Sequence, residues 1–372
     1  ILFLMLSVLG MHLMNTTDNN AMLMALLFLI PVYVILIVIF HCNVPQNSFP
    51  IIIFLTSISL VLLLGMRSSY IIGADAHLEY YIFQQTITNE KWQILIKSTV
   101  DSCLSISILP VAYQSFLNIN QQYLFKILYP ILFSISPLVI YMIAKEYLSN
   151  VYAFLASIFL MSQTTFLSAT ANARTVIAIL FVALSIMVLI NVRLSEFQKK
   201  VLLIIFMFSC IVSHYSTTYI FFGILLSSLI CVNIIQTLIT YKNRSMTEKD
   251  AFNDEQNVAH FISHPTPPET LKYYITPGIL IIFFTMIFVW YSQVTEVAFN
   301  SGVGFVVNSI NSLQDLFILE ARTEGVAAAF GSGFEELGPS RRIAFVSYWL
   351  AIIFIAIGVL STIFKYRQRV AL

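Results

Sequence analysis

The chain has 372 residues, of which 59% are apolar and 10% charged, with a formal net charge of +1. Soluble domains carry about 25% charged residues, so this composition cannot clothe a water-soluble surface. The near-zero charge offers no basic face for nucleic acid, and the four scattered cysteines (Cys42, Cys103, Cys210, Cys231) lack the spacing of a zinc site or a disulfide framework.

Apolar runs long enough to cross about 30 Å of hydrocarbon recur along the whole chain. About ten spans are predicted, near 1–14, 21–41, 51–66, 123–143, 150–163, 175–192, 200–213, 216–237, 275–292 and 343–364. The expected fold class is therefore an all-α, polytopic membrane protein, multi-pass in the cell membrane. The first run opens at Ile1 without an initiator Met or a basic segment before it, so a missing N-terminus is expected. Pro130 and Pro137 should kink the fourth span, which membrane helices tolerate when neighbours satisfy the freed carbonyls. The stretch 200–237 is read as two spans meeting at Ser213-His214-Tyr215-Ser216-Thr217-Thr218.

Sidedness follows from the basic residues of the loops. Lys145; Arg193, Lys199 and Lys200; Lys242, Arg244 and Lys249; and Lys365, Arg367 and Arg369 all fall on one side when ten spans are threaded, which is the cytoplasm. The outer side then holds 67–122, 163–174, the break at 213–218, and 293–342. Four regions are expected: an N-terminal two-span extension (1–50), a transmembrane core (51–240), a cytoplasmic linker (241–274), and a C-terminal two-span unit (275–372). The segment 238–274 mixes both charge signs and ends in His264-Pro265-Thr266-Pro267-Pro268, which reads as a stiff, solvated linker.

The candidate chemistry starts at Gly73-Ala74-Asp75-Ala76-His77-Leu78-Glu79-Tyr80-Tyr81. Gly73 permits a sharp exit from the preceding span. Asp75 and Glu79, four apart, share one face of a helix, while His77 points elsewhere. Two such carboxylates could hold a divalent metal, or one could act as a general base. The bland alternative is an acidic first turn that suits the helix dipole. From Trp92 to Leu109 the apolar residues recur at helical spacing, which predicts a short amphipathic helix on the bilayer surface. Leu104-Ser105-Ile106-Ser107-Ile108-Leu109 then alternates and should stop at Pro110.

Further along, Arg174 sits at the outer mouth of the sixth span. Its planar fork suits a lipid phosphate, and the alternative is a snorkelling anchor. His214, Tyr215 and Tyr219 lie at the polar break, at a depth where polar groups are expensive and point to function. Their Ser and Thr neighbours read as helix–helix hydrogen bonds. The last loop carries Glu296, Asp315, Glu320, Arg322, Glu324, Glu335 and Glu336 around a small, flexible stretch, Gly325 to Gly333, that could form a lid. Arg341 and Arg342 abut the final span, where they could clamp an anionic head group or anchor the helix.

An acidic motif after an early span, an interfacial loop and polar helix mouths on one side resemble the C-type glycosyltransferases, multi-span enzymes that use polyprenyl-phosphate-linked sugars. Within that resemblance, 73–81, Leu104 through Pro110, and Ser213-His214-Tyr215-Ser216-Thr217-Thr218-Tyr219 look like an archaeal family of predicted membrane proteins, over roughly 51–240. The resemblance implies a catalytic carboxylate at Asp75, with His77 and Glu79 supporting it or positioning an acceptor. It further implies a donor phosphate held by Arg174, His214, Tyr215, Arg341 and Arg342. The implied partners are a polyprenyl-phosphate-linked sugar, a lipid or protein acceptor, and membrane lipids. Two departures stand out: two spans precede the motif where the superfamily has one, and 163–174 lacks the acidic residues of metal-dependent members. The competing expectations are a transporter or flippase of lipid-linked glycans, and a glycan polymerase or ligase using the Arg-rich last loop.

Overall fold

The computed structural model describes residues 1–251, 275–311 and 338–371, and these form helices and turns without a strand. In chain order the helices are α1 (Leu2–Thr17), α2 (Ala21–Ile39), α3 (Phe49–Gly65), α4 (Ala74–Thr88), α5 (Ile108–Leu117), α6 (Gln121–Phe133), α7 (Ser136–Lys145) and α8 (Asn150–Met161). They continue with the single turn α9 (Thr164–Leu167), α10 (Ala173–Ile190), α11 (Glu196–Ile211), α12 (Tyr215–Ala251), α13 (Pro277–Phe288), α14 (Val297–Asn311) and α15 (Pro339–Ala371). A π-helical stretch, Val289–Val294, extends α13.

Each predicted apolar run falls on helix, with 123–143 divided between α6 and α7. Among the described residues seven segments are long and apolar enough to cross a membrane: Ala21–Ile39, Gln46–Gly65, Gln121–Lys145, Ala173–Ile190, Tyr215–Ile234, Pro277–Val294 and Pro339–Ser361. α1 and α8 are apolar but shorter, and α11 begins with Glu196, Lys199 and Lys200. Side chains such as Ile281 and Phe284 of α13 are half exposed or more. Apolar surface of that kind is stable against lipid, not water. The chain is a multi-pass membrane protein.

The described residues divide into two compact units, Ile1–Thr240 with Thr270–Gly302, and Tyr241–Glu269 with Val303–Leu372. In the first unit α3 is central and packs on α1, α6, α7 and α8. It does so through small polar side chains that let helices approach closely and bond to one another's carbonyls: Ser7 Oγ donates to Ser59 O (2.8 Å) and Ser57 Oγ to Ser134 O (2.8 Å). The second of these bonds falls at the break between α6 and α7, bracketed by Pro130 and Pro137, and Ser157 Oγ donates to Pro137 O (2.8 Å). The proline pair therefore brackets an interruption of the fourth span, and neighbouring hydroxyls bond to carbonyls beside it. In the second unit, α15 carries Arg341 and Arg342, both exposed, on its first turn.

Three expectations are corrected. No amphipathic helix forms over 92–104. Asp101 Oδ2 accepts from the backbone N–H of Ile96 (3.2 Å) and Ser98 (3.1 Å), and Ser98 caps a 3₁₀ turn at Thr99–Ser102. Short polar side chains that bond nearby backbone compete with helix in this way. Pro110 does not stop a segment but sits in the first turn of α5, where its missing N–H costs nothing. The stretch 238–274 does not begin as a linker, because α12 continues to Ala251. The His264–Pro268 motif, the Gly325–Gly333 lid and the acidic residues from Asp315 to Glu336 lie outside the described residues.

Candidate functional site

The site grows from the start of α4. Gly73 has φ 112°, a conformation open to glycine, and a Cβ there would come within 2.8 Å of the Ala171 side chain. The glycine thus turns the chain out of the preceding span and lets α4 pack closely on the Ser168–Ala171 turn. Gln122 and Lys126 of α6 hold the approach by donating to Ser69 O and Ser68 O. α4 then buries Ala76, Glu79, Ile82, Phe83 and Thr86, one helical stripe with a carboxylic acid set in it.

Glu79 is fully buried, and its partner is the N-terminus of α10. Ala173 N–H donates to Glu79 Oε2 (2.9 Å) and Arg174 N–H to Oε1 (3.5 Å). The first N–H groups of a helix have no partner within it, and the dipole there favours negative charge. Glu79 fills that role from a helix 94 residues away in sequence. The Arg174 side chain folds back over the same carboxyl, with Nε 3.4 Å from Glu79 Oε1 but not aligned for a hydrogen bond. Its Nη2 donates to Asp75 Oδ2 at 3.1 Å. With its amide nitrogen turned toward acceptors, Asn172 adds a second bond to Asp75 Oδ2 at 3.2 Å.

The result is a fork: one guanidinium, 11% exposed, between a buried carboxyl and a half-exposed one (52%). Asp75 Oδ1 and Arg174 Nη1 take no hydrogen bond among the described residues. Burial pushes the Glu79 carboxyl up to about 7, against the opposing pull of Arg174 and the two backbone N–H groups. His214, in the turn between α11 and α12, is drawn down to about 4 by burial and by Arg174, with Asp75 acting the other way. It is therefore a neutral imidazole at pH 7. Its Nδ1 faces Thr217 Oγ1 at 2.8 Å, and its ring meets Tyr215 edge-on at 5.2 Å.

The turn that carries His214 is held by groups the sequence did not single out. Where α11 stops, its last carbonyls need donors. Tyr291 Oη donates to Ile211 O (2.6 Å), Ser105 N–H to Val212 O (3.4 Å) and Ser105 Oγ to Ser213 O (3.1 Å). Tyr129 Oη in turn donates to Ser105 O (2.8 Å), and Trp290 Nε1 to Ser102 O (3.0 Å). So Ser105 of 104–110 is bonded to the turn before α12, whereas 73–81 is bonded to the start of α10. Cys103, in the same layer, is pushed up to about 12 by burial and is not a thiolate nucleophile.

Of the expected site residues, Asp75, Glu79, Arg174 and His214 come together, with Tyr215 beside His214. His77 is exposed on α4 and makes no side-chain hydrogen bond among the described residues; two residues from each carboxylate, it faces the other way at about 100° per residue. Arg341 and Arg342 belong to the second unit. Among the described residues no group of three or more His, Cys, Asp or Glu could hold a metal. The place between Asp75 and Glu79 is filled by the Arg174 guanidinium, so this donor set does not suit a bridging divalent ion.

Residues 199–371 match a family model described as "Predicted membrane protein (DUF2206)", less than half of the chain. That family is a membrane family without a stated activity. The match starts within α11 and overlaps the stretch 51–240 only over 199–240, so it takes in His214 but not Asp75, Glu79 or Arg174. Neither a curated protein nor a solved structure matches the chain.

Proposed function

We propose that the chain is a membrane glycosyltransferase that moves a sugar from a polyprenyl-phosphate donor to an acceptor hydroxyl at the outer face. The observation that supports it is the fork at Arg174. A half-exposed carboxylate with one free oxygen stands beside a guanidinium with one free amino group, and a neutral imidazole lies within electrostatic reach of both.

In this reading the acceptor O–H attacks the anomeric carbon while the bond from that carbon to the phosphate oxygen breaks. The electron pair leaves with the phosphate, which needs no general acid. Asp75 takes the acceptor proton. Arg174 Nη1 and Nη2 meet the departing phosphate, where charge grows during the reaction. The arriving phosphate competes with Asp75 for Nη2 and so frees the base at the moment it is needed. Glu79 stays behind the guanidinium and fixes its direction. A donor carried on a lipid accounts for a site built at the mouths of membrane helices.

The test is a transfer assay from a polyprenyl-phosphate sugar in liposomes, with lipid-linked-sugar density beside Asp75 in a cryo-EM map as the structural counterpart. Translocation of the glycolipid without transfer would favour the flippase reading. Sidedness is tested alongside. Cysteines introduced at 118 and 312 should react with an impermeant thiol reagent from outside and one at 250 should not; labelling at 250 would overturn the orientation. Donor affinity measured for Arg341→Ala shows whether the last helix shares the phosphate.

A further inference from the structure

A cavity of about 700 Å³ lies beside the C-terminal ends of α4 and α5, walled in part by Glu90, Lys91, Trp92, Gln114, Ser115 and Asn118. This volume lies within the range of small-molecule sites. Thr86 of α4 belongs to the same wall, about 10 Å along the helix from Glu79 at 1.5 Å per residue. The cavity is therefore separate from the fork at Arg174 but shares a rigid element with it.

The wall has a definite chemistry. Gln114 Nε2 donates to Ile119 O at 2.6 Å, while Gln114 Oε1 is buried and has no hydrogen-bond partner. An unpartnered acceptor in the wall favours a ligand that brings a donor. Glu90 and Asn118 both have left-handed backbone, at φ 54° and 47°. Both are the left-handed residues that end α4 and α5. Two helices end at this wall, and helix C-termini present carbonyls that favour donors and disfavour anions. Glu90 adds an acidic group, which Lys91 offsets. A phosphate is poorly served here: the residues that line the cavity include no arginine, and their one lysine is accompanied by a glutamate and two helix C-termini. The amides of Gln114 and Asn118 and the Ser115 hydroxyl instead match a neutral ring bearing several hydroxyls, while Trp92, its Nε1 already donating to Asp101 O, offers apolar surface.

We propose that this cavity binds a neutral, polyhydroxylated group of the size of a pyranose. It serves as a distal acceptor subsite of the transfer reaction, holding a ring other than the one that reacts, since Thr86 lies about 16 Å along α4 from Asp75; that role rests on the function proposed above, whereas the binding itself does not. The wall supplies acceptors for hydroxyl donors, and Trp92 and the apolar side chains cover the ring's C–H face.

The experiment is saturation-transfer NMR on the full chain in a sugar-free detergent, with the methyl glycosides of glucose, mannose and N-acetylglucosamine as probes. At least one glycoside should bind saturably in the millimolar range. Gln114→Ala should weaken that binding about tenfold, a loss on the scale of one neutral hydrogen bond. Ser115→Trp, which fills the cavity without touching the Gln114 bond, should abolish it. Asp75→Asn should leave it unchanged, and inorganic phosphate should not compete. Binding by none of the glycosides, equal binding in wild type and Ser115→Trp, or displacement by phosphate would each overturn the proposal. Glycoside binding in a protein that shows no transfer with any donor would keep the cavity as a sugar site and remove its role as acceptor subsite.

Discussion

At the contact of α4 with α10, Arg174 reaches two carboxyls and acts electrostatically on a histidine. At the junction of α11 with α12, the carbonyls of Ile211, Val212 and Ser213 are met by neutral donors from Tyr291 and Ser105. Both regions are buried polar structure in an apolar protein, but they respond to different things. Neutral hydrogen bonds fix geometry and are indifferent to pH and to passing ions. An ion cluster in a low-dielectric setting changes its charge state when a proton or an anion arrives. The junction is the frame on which His214 is mounted, and the fork is the part whose charge state can change.

The comparison breaks most sharply at Arg174. Arg174→Ala leaves Glu79 buried and Asp75 unpaired, and should cost about 3–5 kcal/mol of stability, read as a fall in the thermal midpoint. Arg174→Lys should recover only part of the donor affinity, because a point charge lacks the planar fork. Donor affinity equal to wild type in Arg174→Ala would reduce Arg174 to a structural anchor.

Glu79 gives the next effect. Its carboxyl is raised from 4.5 to about 7 in the folded chain, so the folded state holds a proton that the unfolded chain releases. That contribution is fully present below about 4.5, is lost as the pH rises through 7, and is flat above; its size is about 3 kcal/mol. The thermal midpoint should therefore fall between pH 5 and 8, and Glu79→Gln should remove most of that slope. Protonation also makes the fork less negative, so donor binding should tighten below pH 7 in wild type and lose this dependence in Glu79→Gln. An unchanged slope in the variant would mean that Glu79 is not the titrating group.

The smallest effect is expected at the junction. Tyr291→Phe removes the donor to Ile211 O and should cost about 1–3 kcal/mol. The loss should be the same at pH 5 and pH 8. A pH-dependent loss would show that the two regions are coupled more tightly than their chemistry implies.

Much of this was legible in the sequence, and the limits are physical. The apolar runs, the break before Tyr215 and the proline-broken fourth span are local signals of length and composition, and each lies on its helix. The turn at Gly73 is local too. What periodicity could not show is that Asp75 and Glu79 differ in burial and share a cation from α10, 95 residues on from Glu79, since pairing at that separation depends on packing. A signal was present: Glu79 sits in the stripe with Ala76, Ile82 and Phe83, where a carboxyl must find a partner. Over 92–104 the apolar spacing misled. Ser98 followed three residues later by Asp101 is a capping pattern, and it marked a turn inside the supposed helix.

The central claim is that Asp75 receives the acceptor proton. Asp75→Asn keeps the side chain's shape and its place beside Arg174 while removing its basicity. The variant should stay folded, and its donor affinity should equal or exceed that of wild type, because a neutral amide competes less with the phosphate for Arg174. Transfer from a polyprenyl-phosphate sugar in liposomes should fall by about 10²–10⁴-fold, the range expected for loss of a general base. Near-normal transfer by a well-folded Asp75→Asn protein would contradict the account.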